Sequence, residues 1–142
     1  MTAHSDAEFE AEKIGDVERA RHVDLRRTIY SFRHAGRGFR WALSSQANLR
    51  VHFLVAAAVL VGAVLFRFSA LEFAGLFLCF AIVIAAELFN TALEVLIDYA
   101  WPEHHPMIGR AKDVAAAAVL LAAIGAALVG ILLFARHIFQ IS

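Results

Sequence analysis

The chain has 142 residues, of which 61% are hydrophobic and 18% charged, with a mean hydropathy of +0.66. A water-soluble domain of this length has too little interior to hide so much apolar surface, so the composition excludes the ordinary soluble enzyme and indicates a membrane protein. The formal net charge is zero, but the charges are segregated along the chain.

Residues 1–24 carry seven acids, Asp6, Glu8, Glu10, Glu12, Asp16, Glu18 and Asp24. They lack an apolar face and are expected to form a poorly ordered polar tail. No cleavable signal peptide is expected, because the chain stays polar for about fifty residues before its first apolar run. Residues 25–50 carry no acid and six arginines, Arg26, Arg27, Arg33, Arg37, Arg40 and Arg50. Leu25, Ile29, Phe32, Phe39 and Leu43 recur there at helical spacing, which predicts an amphipathic surface helix over 25–48. Its basic face suits anionic headgroups and Trp41 suits an interface.

Three spans follow, at about 50–67, 70–99 and 110–136. The apolar part of the first, Val51 to Phe66, is short for a crossing, and continuation of the helix with Arg50 and Arg67 snorkelling would lengthen it. Ser69 is a candidate N-cap for the second. Its apolar run is Phe73 to Ala86, its helix extends through Asp98, and Trp101-Pro102 ends it. Cys79 lies in that run and is expected to pack as a small hydrophobe. A loop is predicted from Pro102 to about Gly109. The third span, Val114 to Ala135, has no charge in twenty-two residues. Ala118, Ala122, Ala126 and Gly130 recur on it every four residues, a pattern that lets helices approach closely in lipid. Oligomerisation is expected, because three helices shield intramembrane carboxylates poorly. Arginine and lysine placement puts the N-terminus and the 99–113 loop in the cytoplasm.

Glu87, Asn90, Glu94 and Asp98 are spaced 3, 4 and 4, so they form one polar stripe on a helix that emerges from the second span. Carboxylates at such a depth are costly to desolvate and usually have a task. Paired acids one turn apart with an amide between them can hold a hard divalent cation, which bridges to phosphate oxygens. Lys112 can offset phosphate charge as a point cation, and a further acid can accept a proton from an attacking hydroxyl. Glu87, Asn90, Glu94, Lys112 and Asp113 thus supply the parts for phosphoryl transfer, without a glycine-rich phosphate loop.

At these residues the chain resembles the bacterial diacylglycerol kinase family, which includes undecaprenol kinases. The resemblance covers roughly residues 27–135. It rests on Glu87-Leu-Phe-Asn90-Thr91-Ala92-Leu-Glu94-Val-Leu-Ile-Asp98, on His105-Pro106 and on Ala111-Lys112-Asp113-Val114-Ala115-Ala116. It implies an all-α integral-membrane fold with three transmembrane helices and a surface helix, assembled as a homotrimer. It also implies MgATP-dependent phosphorylation of a lipid hydroxyl at the cytoplasmic face of the bacterial inner membrane. By position, Glu87 resembles the catalytic base, with Lys112 and Asp113 in the catalytic and nucleotide-phosphate site. Glu94 resembles a metal ligand with Asn90 beside it, and Arg27 and His105 are further nucleotide candidates. Gln46 stands where the family usually has a metal-binding glutamate, so it offers an oxygen ligand without charge. Asn48-Leu49-Arg50-Val51-His52 and Lys112-Asp113-Val114-Ala115-Ala116 resemble the undecaprenol branch more than the diacylglycerol branch. The expected partners are a membrane lipid and further copies of the chain, with no nucleic acid.

Two other readings are set beside the kinase: an ion or proton pathway lined by Glu87 and Glu94, and a catalytically weakened scaffold suggested by Gln46. A pathway needs polar residues at matching depth on another span. The third span has none from Val114 to Ala135, and the first has only His52.

Overall fold

The computed structural model describes residues 25–103 and 105–139. The acidic segment 1–24, for which a poorly ordered tail is expected, and His104 lie outside the described residues. Four helices follow one another: α1 Leu25–Ser45, α2 Ala47–Leu65, α3 Ala70–Ala100 and α4 Pro106–Phe139. No strand occurs among the described residues, and α2, α3 and α4 are each long and apolar enough to cross a membrane. The all-α, three-span expectation therefore holds. The nineteen residues of α2 rise about 28 Å, close to the ~30 Å hydrocarbon core. The short apolar run is thus made up by helix that starts at Ala47.

The chain divides into two units, residues 1–38 and 39–142. In the first, the described stretch is the helical part of α1 up to Gly38, with Arg27 through Gly38 exposed. The second holds the end of α1 and all three spans. Between α1 and α2 the backbone is extended at Gln46 (φ −98°, ψ 117°). Arg50 stabilises this junction. One guanidinium nitrogen donates to the carbonyl oxygens of Leu43 and Ser44, at 3.2 and 2.9 Å, which would otherwise be orphaned at the helix C-terminus.

The α2–α3 turn closes as a Schellman motif. Phe68 N–H donates to Ala63 O at 3.0 Å, Arg67 N–H donates to Val64 O at 3.1 Å, and Arg67 is left-handed at φ 56°. The motif turns Phe68 inward against Ala63 and Leu76, with Phe134 of α4 packed on the cluster. A Cβ on Gly62 would lie 3.0 Å from the Phe134 ring, so the glycine leaves room for that ring to lie against α2.

Ser69 caps α3 as the sequence suggests. Its hydroxyl accepts from Glu72 N–H at 3.4 Å, and Glu72 Oε2 accepts from Ser69 N–H at 2.7 Å, a capping box. The other carboxylate oxygen of Glu72 meets His137 Nε2 at 3.0 Å and an Arg136 guanidinium nitrogen at 3.6 Å. The His137 ring stacks on Phe68 at 4.4 Å. This clasp joins the start of α3 to the end of α4.

At that far end the structure departs from one expectation. The sequence predicts a loop from Pro102 to about Gly109, but α4 begins at Pro106. Proline is favoured in the first helical turn, where its missing N–H has no partner to lose. His105 completes the start: its Nδ1 accepts from Met107 N–H at 3.2 Å, and its carbonyl accepts from Ile108 N–H at 3.0 Å.

Candidate active site

The polar stripe of α3 grades from buried to exposed along the helix. Glu87 is 4% exposed and Asn90 8%, Glu94 is half-buried and Asp98 is exposed. Thr91 is buried beside them, at 3% exposure. The gradient follows from length: α3 has 31 residues, about 46 Å, so its last turns outrun the hydrocarbon layer. A single chain is enough to bury Glu87, so shielding this carboxylate does not by itself call for a second copy.

Glu87 and Asn90 line a cleft of about 270 Å³ together with Asn48 and His52 of α2. His52 Nε2 lies 3.2 Å from Glu87 Oε1. The α4 wall contributes only Ala116, Val119, Leu120 and Ala123. Of the polar groups an ion pathway would need on another span, α2 supplies Asn48 and His52 at this cleft and α4 supplies none. Asn90 Nδ2 donates to Glu94 Oε1 at 3.0 Å, while Asn90 Oδ1 is buried and without a hydrogen-bond partner. An unpartnered buried acceptor costs about 1–3 kcal/mol, so it marks a place where a ligand with positive charge or a donor would be stabilised.

None of the remaining sequence-derived candidates of the second unit lines this cleft. Lys112, half-buried, pairs through Nζ with Asp98 Oδ1. Eleven residues of helix separate Asp98 from Glu87, a rise of about 16 Å. Asp113 is exposed, next to Lys112. His105 is exposed and its Nδ1 is engaged in capping α4. Arg27 is an exposed residue of the first unit. Gln46 is half-buried at the α1–α2 junction, and its side chain makes no cap hydrogen bond. Among the described residues, no group of three or more His, Cys, Asp or Glu is gathered to hold a metal ion.

Two features were not singled out from sequence as part of the site. Asp98 is the partner of Lys112, and Asn48 and His52 face the stripe from α2. The signal for the latter pair was available, because two polar residues four apart at the start of an apolar helix share one face.

Beside the polar cleft lies a larger apolar groove of about 780 Å³ between α2, α3 and α4. The two cavities share Val51, His52 and Ala123, so they are neighbours, with the buried carboxylate on the polar side.

Residues 33–134 match the family described as prokaryotic diacylglycerol kinase. The chain is 37% identical over 111 residues to the undecaprenol kinase of Bacillus subtilis (strain 168), covering 78% of this chain and 90% of that relative. It is 42% identical over 103 residues to a diacylglycerol kinase of Synechocystis sp., covering 72% of this chain and 59% of that relative. The diacylglycerol kinase of Escherichia coli (strain K12) is 30% identical over 111 residues, with 78% and 91% covered.

Proposed function

The chain belongs to the prokaryotic diacylglycerol kinase family and is a lipid kinase, and from that premise we propose that it moves the γ-phosphoryl group of ATP onto the hydroxyl of a membrane lipid at Glu87. The observation that supports this reading is the adjacency of the two cavities, which share Val51, His52 and Ala123. A lipid chain in the apolar groove brings its hydroxyl to the threshold formed by Val51 and His52, where Glu87 lies. Glu87 takes the hydroxyl proton as the oxygen attacks the γ-phosphorus. The bond to the bridging oxygen breaks, and ADP leaves.

The donor set fits a magnesium ion. Glu94 and the unpartnered Asn90 Oδ1 are hard oxygen donors one turn apart, and magnesium takes one or two carboxylates and completes its shell with phosphates and water. When bound, the ion offsets phosphate charge and orients the transferring group. Gln46 is the third candidate ligand, as a neutral amide. Lys112 offers its ammonium to the phosphates by exchanging Asp98 for them, and Asp113, Arg27 and His105 complete the nucleotide candidates. Further elements of the proposal come from the resemblance and the charge pattern. These are the surface helix with its arginines on anionic headgroups, the homotrimer, and an active site at the cytoplasmic face of the inner membrane.

Undecaprenol is the preferred acceptor and diacylglycerol the second. The Asn48-to-His52 segment supports the first, and the relatives include kinases named for each lipid. Radiolabelled ATP is supplied to the purified protein with undecaprenol, diacylglycerol and ceramide in parallel. Label in the isoprenoid alcohol ahead of diacylglycerol is the expected result. Label in none of the three refutes the proposal.

A further inference from the structure

Among the described residues, His52 is the one with an ionisable side chain shared by the linings of the polar cleft and the apolar groove. It comes from α2, whereas the polar stripe belongs to α3. Its Nε2 faces Glu87 Oε1 at 3.2 Å, and the carboxylate it faces is buried, with a side chain 5% exposed. The other neighbours leave that task to it. The Asn90 amide is committed to Glu94, and α4 brings only apolar side chains to the cleft.

A buried carboxylate that must accept a proton needs a partner that holds it without quenching it. A fixed cation such as arginine stabilises the ionised form strongly and weakens it as a base. A neutral imidazole N–H orients one oxygen and leaves the negative charge in place. At 3.2 Å the ring is within reach of Oε1, and a rotation of the imidazole that aligns an Nε2–H with that oxygen turns the close approach into a hydrogen bond. The second carboxylate oxygen, Oε2, is then left for the substrate.

We propose that His52 is a positioning residue for phosphoryl transfer: its Nε2–H holds Glu87 Oε1 so that Oε2 meets the lipid hydroxyl at the mouth of the apolar groove. The inference rests on Glu87 as the base. His52 itself takes no proton in the step. The hydroxyl proton goes to Glu87 Oε2 as the oxygen–phosphorus bond forms.

The test uses the full chain in mixed micelles with a lipid that the wild type phosphorylates, and it reads kcat and KM for ATP and lipid separately. His52→Phe keeps the ring and loses the donor, and His52→Asn keeps an amide donor that is too short to reach. Both should lower kcat about ten- to hundredfold, the loss expected when a reacting group is misplaced by about 1 Å, with KM for ATP unchanged. His52→Gln places an amide N–H at nearly the reach of Nε2 and should recover most of kcat. A merely structural role would not separate Gln from Asn in this way. If His52→Phe does not accumulate as folded protein, the Gln and Asn pair still decides.

Equal turnover in wild type and the two donor-deficient variants overturns the proposal. So does a loss that Gln fails to rescue, or one that falls on KM for ATP. Glu87→Gln is assayed alongside. If it is inactive while His52→Phe is fully active, only the positioning role is lost. If Glu87→Gln itself turns over normally, Glu87 is not the base, and the premise fails with the proposal.

Discussion

Glu87→Gln tests the proposed base apart from the rest of the site. Glutamine has the same length and branching, and its carbonyl oxygen can still face His52 Nε2, which lies 3.2 Å from Glu87 Oε1. The amide lacks a charge, so burial at 4% exposure is no harder than for the carboxylate. The fold should therefore change by no more than about 1 kcal/mol. Nucleotide binding should also persist, because Glu94 and Lys112, the proposed metal and phosphate contacts, are unchanged in this variant. What is lost is the proton acceptor. General-base catalysis contributes roughly 10²–10⁴-fold. At about 1.36 kcal/mol per factor of ten, that is a rise of about 3–5 kcal/mol in the barrier. The assay is transfer of radiolabel from ATP to lipid under saturating conditions, with ATP affinity measured separately by equilibrium binding. Glu94→Gln serves as the contrast, since losing a metal ligand should weaken ATP binding and magnesium dependence together. A Glu87→Gln protein that keeps more than about a tenth of wild-type turnover refutes the base assignment, as does a parallel loss of ATP affinity in the two variants.

Gln46→Glu adds an anionic oxygen at the α1–α2 junction. Two carboxylates hold magnesium better than one carboxylate and an amide, so the half-saturating magnesium concentration should fall and activity at limiting metal should rise. Superimposable magnesium titrations would show that residue 46 does not touch the metal. Arg67 occupies the left-handed position of the α2–α3 turn at φ 56°, where glycine is unstrained and β-branched residues are strained most. Arg67→Gly should leave resistance to unfolding in detergent unchanged or slightly raised, and Arg67→Val should lower it by about 1–2 kcal/mol. Equal stability of the Gly and Val variants would mean that the turn does not hold this conformation.

The parts of the fold and the site that were legible in the sequence are those set by spacing along one helix. Glu87, Asn90, Glu94 and Asp98 had to share a face once their segment was helical, and the Asn90–Glu94 hydrogen bond spans one turn of it. The three spans could be read from apolar runs, because length and hydropathy decide whether a helix can cross a bilayer. Ser69 could be read as a cap because capping is a local reaction of a side chain with its own helix start.

Contacts between helices were not legible in this way, because periodicity reports which face a residue is on and not what meets that face. His52 and Glu87 lie on separate helices, Lys112 reaches across a loop to Asp98, and Glu72 and His137 join the two ends of the longest helices. These three pairs follow one logic. The Glu72–His137 contact ties α3 to α4 at one end and the Lys112–Asp98 pair ties them at the other, while α2, packed on α3, brings His52 to Glu87. A stripe of acids written into one helix becomes a site when a second helix supplies a donor at the right level. Here that level is where polar cleft and apolar groove meet, so the same residue that faces the carboxylate also borders the path by which an apolar chain would enter.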